Sequence, residues 1–399
     1  MNQTIRKRIE DVNNGIVPEG YKQTPFGIFP CDWETDKKLN DLGAFDKGKG
    51  LPGDKMTDEG VPCIGYGDIY MKYNYHFEKA QTFVDKKTAT ESQPIGKGTL
   101  LFTGTGETAE EIGKCVCYNG DETIYAGGDI ILFNSKEVNP MFLAYQQYQD
   151  FSLKRKAMYG QGHSVVHIQR GELAKLPTAF PKDKTEQSKI AEILMKWDEM
   201  VELQEQYIQK LELRKKAIMK KLLTPKDGWK NKKLGEVCKI KTGKLDANAM
   251  VENGEYPFFT CSKEVFAIDK YSFDCEALLM AGNGDIGDIK YYNGKFDAYQ
   301  RTYVLSDFSF NIKYVMYYLL FNFDKDVMKG MQKSSMPYIK LELLQKADIY
   351  YNEGAIHKTV EVLEKTDEEI SLQKEKLEKI KIQRKAMQQY LLTGIVRVG

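Results

Sequence analysis

The chain has 399 residues, 42% of them hydrophobic and 29% charged, and a formal net charge of +1. That length suits two or three domains, each with its own core, and the balance is that of an ordinary globular protein. A uniformly basic nucleic-acid binder is excluded, so if DNA is a partner the positive charge must be local.

No apolar run approaches the roughly 18 residues a bilayer span needs. The opening MNQTIRKRIEDVNNG lacks the apolar centre of a secretory signal. A cytoplasmic protein with no membrane partner is expected. Seven cysteines are scattered along the chain. The close pair Cys115-x-Cys117 has no second pair to complete a four-ligand zinc site, so reduced structural thiols and no metal are expected.

In chain order, Trp33 with Lys38-Leu39 opens a first globular unit. Residues 99–106 read TLLFTGTG, followed by Ile112-Gly113 and Tyr118-Asn119-Gly120. Residues 129–133 read as a strand, and Asn139-Pro140 as a helix start. Gln161, Ile168 and Leu173 close the unit. A long helix over 190–224 stops before Pro225. Trp229 with Lys233-Leu234 then opens a second unit with the same order of parts. Residues 277–284 read ALLMAGNG, then come Ile286-Gly287, Tyr292-Asn293-Gly294, a strand at 302–305 and a helix start at Asn311. Gln332, Ile339 and Leu344 close this unit, and a second long helix over 359–393 stops at Gly394. The two Asn-Gly pairs, each after a β-rich run, predict tight hairpin turns.

The helices are a repeat. Shifting the sequence by 169 lays 190–224 over 359–393 with 13 identities in 35 positions: Glu192, Leu194, Lys196, Asp198, Glu199, Leu203, Gln204, Lys210, Lys216, Ala217, Leu222, Leu223 and Thr224. Chance would give about two or three. Steps of four and three residues trace a coiled-coil seam through Leu194, Trp197, Val201, Gln204, Ile208 and Leu211. In the second copy the seam passes through Leu363, Ile370, Gln373, Leu377, Ile380 and Arg384. Polar residues interrupt it at matching places, Gln204 with Gln373 and Lys215 with Arg384. Antiparallel pairing about the helix middles would bring Trp197 near Arg384.

Catalytic motifs are incomplete. Phe102-Thr-Gly-Thr-Gly106 matches the F-x-G-x-G loop that binds S-adenosylmethionine. However, the chain has no Pro-Pro for the (N/D)-P-P-(Y/F) loop of an amino-methyltransferase, and Met280-Ala-Gly-Asn-Gly284 repeats the same turn. Residues 108–115 lack the first glycine and the Ser or Thr of a phosphate loop. Asp285, Asp288 and Lys290 lack a further carboxylate for Mg²⁺. His163 and His167 lack a third ligand. No catalytic residue, no metal and no cofactor of the chain's own are therefore expected. Recognition remains, through turn residues able to reach base edges and phosphates: Tyr66, Thr103, Thr105, Lys114, Gln161 and His163 in the first unit, and Ser262, Lys263, Asn283, Gln300, Arg301, Lys333, Ser334 and Ser335 in the second.

Taken together, the duplicated helices, their LLT ends and the repeated GxG and Asn-Gly strings resemble the specificity subunit of type I restriction-modification systems. The strings that carry the resemblance are GYKQTPFGIFPCDW (20–33), LLTPKDGWKNKKLGEV (222–237), GNGDIGDIKYYNGKFDAYQRTYVL (282–305) and LLTGIVRV (391–398). The resemblance implies an α+β protein: two mixed α/β target-recognition domains separated by two long antiparallel coiled-coil helices, as a pseudo-two-fold repeat.

The expected divisions are an N-terminal segment over 1–25 near the C-terminal helix end, domains over 26–180 and 226–350, helices over 181–225 and 351–394, and a tail over 395–399. The implied partners are double-stranded DNA, two methyltransferase subunits docked on the helices and carrying the S-adenosylmethionine, and endonuclease-translocase subunits. Without the resemblance, the near-equal numbers of acidic and basic residues also fit a coiled-coil scaffold with protein-binding globular ends.

Overall fold

The computed structural model describes residues 3–162, 165–326 and 338–398, omitting the side chains of 323–326. Two compact units emerge. One comprises Met1–Glu202 with Glu378–Gly399, and the other Leu203–Leu377.

Both long helices form and exceed the span that periodicity indicates. The first, Lys184–Leu223, has 40 residues and the second, Ile356–Leu392, has 37, or roughly 60 and 55 Å. Asp183 caps the first by accepting from the Thr185 amide at 2.9 Å. Its added first turn sinks Glu186 and Gln187 into the first unit. There the Glu186 carboxylate takes two hydrogen bonds from Arg397, at 2.6 and 2.8 Å. Gly394, at φ +71°, makes the left-handed stop after the second helix. Tyr21 donates to its carbonyl at 2.6 Å.

The first unit holds two sheets of more than two strands. The larger runs in the order Gly43–Lys47, Ile130–Ser135, Thr99–Thr103, Cys115–Tyr118, His76–Phe77. The smaller runs Thr82–Val84, Val61–Ile64, Ile124–Ala126, Gln93–Ile95. Leu100 and Phe102 face the helix side with Phe142 and Leu194, while Leu101 packs with Ile64, Ile69 and Val116 between the sheets. A strand buried on both faces cannot alternate polar with apolar, which is why TLLFT reads as a continuous apolar run.

The second unit has one larger sheet of six strands: Lys239–Thr242, Thr302–Ser306, Phe273–Ala281, Ile289–Ala298, Tyr256–Phe259, Val265–Ile268. Neither Asn-Gly pair is a hairpin turn. Asn293 and Gly294 sit inside a ten-residue strand, opposite Glu276 and Cys275. The actual turn is at 282–288, where Gly284 and Gly287 have positive φ. Asn119 and Gly120 lie in a longer connection between strands of different sheets. Eight paired residues of ladder outweigh a local turn preference.

Each unit contains its own stretch of the antiparallel helix pair, locked by repeat-related charges. In the first, Asp198 accepts from Arg384 Nε at 2.7 Å and from the Tyr145 hydroxyl at 2.6 Å. Arg384 also donates to Tyr75 at 2.7 Å and to Gln388. In the second, Asp367 accepts from Lys215 at 2.5 Å and from the Tyr317 hydroxyl at 2.8 Å. Asp367 is the repeat-mate of Asp198, and Arg384 that of Lys215. Arg384 thus lies one residue past the position the antiparallel pairing anticipated. At the centre, Gln204 donates to its own repeat-mate Gln373 at 2.9 Å. Leu194, Gln204, Ile208, Leu211, Leu363, Ile370, Leu377, Ile380 and Arg384 are buried, while Trp197, Val201 and Gln373 are half-buried.

Exposure sets the worth of each lock. The Arg384 and Asp198 side chains are 9% and 18% exposed, those of Lys215 and Asp367 23% and 39%. Asp198→Asn leaves a buried guanidinium uncompensated and should cost about 3 kcal/mol. Asp367→Asn should cost under about 1 kcal/mol. Guanidinium denaturation midpoints of the two variants compare them directly.

Candidate nucleic-acid interface

In the first unit, the turns at one end of the larger sheet are pinned by main-chain bonds between distant segments. Gly104 N donates to Asp129 O (3.1 Å), Ile168 N to Gly104 O (3.0 Å), Gly127 N to Ile64 O (3.0 Å), Gly128 N to Gly50 O (3.2 Å) and Ile130 N to Gly127 O (3.2 Å). Tyr70, on the Tyr66–Met71 helix, is the side-chain hub. Its hydroxyl meets Thr103 Oγ1 at 2.8 Å and donates to Thr105 O at 3.0 Å. Lys114 donates to Tyr70 O at 3.2 Å.

This places the nominated residues of the first unit as follows. Tyr66 is exposed, Thr105 half-buried and in contact with His167 Nδ1 at 3.2 Å, and Gln161 exposed and paired through its main chain with His167. Lys114 is half-buried, and that burial pushes its amine below the usual lysine range. Thr103 is completely buried and cannot touch a ligand directly. It positions Tyr70. His163 lies outside the described residues.

The second unit builds the same frame. Gly282 N donates to Arg301 O (3.0 Å), Ile339 N to Gly282 O (2.9 Å), Tyr299 N to Phe259 O (2.9 Å), Gln300 N to Leu245 O (2.8 Å) and Thr302 N to Tyr299 O (2.8 Å). These five bonds match the five of the first unit one for one. Gln300, Arg301 and Lys263 are exposed at this edge, and Asn283 and Ser262 half-buried. Lys290 donates to Ser262 O at 2.9 Å and pairs with Asp288, so that lysine and carboxylate hold the turn. Lys333, Ser334 and Ser335 lie outside the described residues. Tyr70, His167 and Asp129 are not among the base- and phosphate-reaching turn residues that the sequence alone picks out. Their roles depend on partners far away in sequence.

A side chain at Gly106 would come within 2.8 Å of the Tyr70 hydroxyl, so the F-x-G-x-G glycine admits the protein's own tyrosine. Among the described residues no group of three or more His, Cys, Asp or Glu could hold a metal ion. No described helix is long and apolar enough to cross a membrane.

Beneath the first edge lies Lys156, buried to 1% exposure. It donates to Gly113 O at 2.9 Å and packs near the Tyr148 ring. Gly113, at φ +68°, belongs to the turn that leads into Lys114.

The long helices carry a second surface. A heptad-spaced stripe on the first runs through Glu192, Lys196, Glu199, Leu203, Gln206, Lys210, Leu213, Ala217, Lys220 and Thr224, all exposed. Seven of these ten recur 169 residues later: Glu192, Lys196, Glu199, Leu203, Lys210, Ala217 and Thr224. Of the ten inward seam positions reached by the same steps, Ile190, Leu194, Trp197, Val201, Gln204, Ile208, Leu211, Lys215, Ile218 and Leu222, only Leu194, Gln204 and Leu222 recur. Leu203 and its mate Leu372 are 57% and 61% exposed, and Leu213 and Ile382 are 64% and 69%. Exposed positions are nearly neutral for folding, so packing does not account for this retention.

The chain matches the family described as the type I restriction modification DNA specificity domain twice, over residues 30–213 and 226–382. It is 46% identical over 112 residues to the type I restriction enzyme EcoDI specificity subunit of Escherichia coli; that match covers 28% of this chain and 25% of that subunit. It is 21% identical over 375 residues to the MjaIX specificity subunit of Methanocaldococcus jannaschii, covering 80% of this chain and 83% of the relative. The crystal structure of the type I restriction-modification S subunit from M. genitalium has a similar fold, with a TM-score of 0.61 at 18% identity, covering 94% of this chain and 99% of that one.

The buried lysine gives the first unit a measurable pH dependence. Burial lowers the Lys156 amine from 10.5 to about 8. The folded state therefore binds fewer protons than the unfolded one between those values, and stability rises with pH there. Below pH 8 the burial of charge costs about 3 kcal/mol. Lys156→Met should be more stable than the parent by about that amount at pH 7, less what the Gly113 hydrogen bond contributes. The difference should shrink towards pH 10, as read from paired denaturation curves across that range.

Proposed function

Because the chain belongs to the family of type I restriction modification DNA specificity domains, we propose that it is the non-catalytic DNA sequence-recognition subunit of such a complex. Each globular domain reads one half of a split, asymmetric site, and the long helices separate the readers and dock the partners. Those partners are two methyltransferase subunits, which carry the S-adenosylmethionine, together with endonuclease-translocase subunits. The protein works on DNA in the cytoplasm.

One observation carries this reading: what is repeated differs between the two kinds of surface. At the sheet ends the main-chain frame recurs while the exposed side chains differ, with Gly127-Gly128-Asp129 standing where the second unit has Tyr299-Gln300-Arg301. A shared main-chain frame with different tips suits two readers of different sequences. Along the helices the exposed side chains themselves recur, which suits one partner bound twice. A near-neutral chain binds DNA in such a complex because the partners share the phosphate contacts.

Methylation mapping of the complex with its methyltransferase should give a split consensus. Exchanging residues 26–180 for those of a relative should change one half-site and leave the other. Methylation without a split consensus overturns the proposal. Leu203→Asp with Leu372→Asp should weaken methyltransferase binding at least about 30-fold per site, the scale of losing an interface anchor. Each single variant should retain one of two methyltransferases by analytical ultracentrifugation, with the fold unchanged by circular dichroism.

A further inference from the structure

Asp129 and Arg301 occupy the same place in the two frames. Each offers its carbonyl to the first glycine of the repeated turn, Gly104 or Gly282, at 3.1 and 3.0 Å. Each follows a residue whose amide is held by the loop after the sheet's edge strand, Gly128 by Gly50 and Gln300 by Leu245. Both are exposed, and neither side chain makes an ion pair or hydrogen bond with a described residue. Position and rigidity are thus conserved while the charge is inverted.

We infer that this position is a base-reading position in both domains, with Arg301 selecting guanine in one half-site and Asp129 selecting cytosine in the other. The inference rests on the recognition reading above and adds the bases to it. An arginine fork matches guanine O6 and N7 in the major groove, whereas a carboxylate accepts from the cytosine amino group. A carboxylate gains nothing from phosphate, so at a DNA-reading edge its partner is a donor; in the major groove the amino groups of cytosine and adenine are donors, and the adenine N7 acceptor beside its amino group repels a carboxylate, which favours cytosine. Arg301 could in principle serve a phosphate. Its carbonyl accepts from Gly282 N and the Cys261 thiol (3.3 Å), and the neighbouring Gln300 N donates to Leu245 O, so the side chain leaves a fixed point, as a bidentate contact to a base edge requires. Both assignments place a G·C pair at the equivalent step, read from opposite strands.

The test is methylation mapping of the assembled complex carrying Arg301→Ala, Arg301→Lys or Asp129→Ala. Lysine keeps the charge and loses the fork. The inference expects Arg301→Ala and Arg301→Lys both to relax a guanine in one half-site, with discrimination falling roughly ten- to a hundredfold. Asp129→Ala should relax a cytosine in the opposite half-site. An unchanged consensus overturns the inference. So does a uniform slowing by Arg301→Ala that Arg301→Lys restores, which marks a phosphate contact. A parent consensus lacking those bases overturns it as well, while leaving the recognition reading intact. A parent complex without any split consensus overturns the recognition reading and this inference with it.

Discussion

A single carboxylate on each long helix, Asp198 or Asp367, binds three elements at once: its own helix, the cation of the antiparallel partner helix, and a tyrosine of the adjoining globular domain. An apolar seam alone tolerates slippage by a heptad, because one leucine resembles the next. The buried Arg384–Asp198 pair does not, since slippage strands both partners without water, whereas the more exposed Lys215–Asp367 pair contributes less. The Tyr145 and Tyr317 hydroxyls keep their protons, because burial and the neighbouring carboxylate raise their pKa. They therefore remain donors throughout the ordinary pH range. With Gln204 meeting Gln373 between them, these contacts set the register on which the placement of each domain against its helices depends.

That arrangement separates what must stay constant from what can change. Main-chain hydrogen bonds hold the turns at the sheet ends, and they do not depend on which side chain a residue carries. Exposed tips can then vary at little folding cost, as Asp129 and Arg301 do. The outward helix stripe shows the reverse: seven of its ten exposed positions, which have no packing role, are the same in both copies.

Periodicity revealed the helices, their seam and their stops, because a 3.5-residue repeat over about 35 positions is a local signal with little competition. Asn-Gly was also a local signal, and it misled at 293–294, where the cross-strand ladder of Phe273–Ala281 holds the segment extended. Residue type indicated Gln300, Arg301 and Lys263 as exposed turn residues. It could not separate them from Thr103, which the fold buries. Tyr70 carries no local signal, and His167 stands out in the sequence only as half of a His pair without a third ligand, since their contacts span 33 and 62 residues of chain.

Sequence by itself determined that two like units alternate with two like helices, where those helices run, and that no complete catalytic motif is present. These properties follow from repeats and periods, which are written along the chain. Only the tertiary structure decided which cation each helix carboxylate meets, which turn residues share an edge, and that Asp129 and Arg301 stand at equivalent places. Those facts depend on hydrogen bonds and burial between segments far apart in the chain, and no local pattern encodes them.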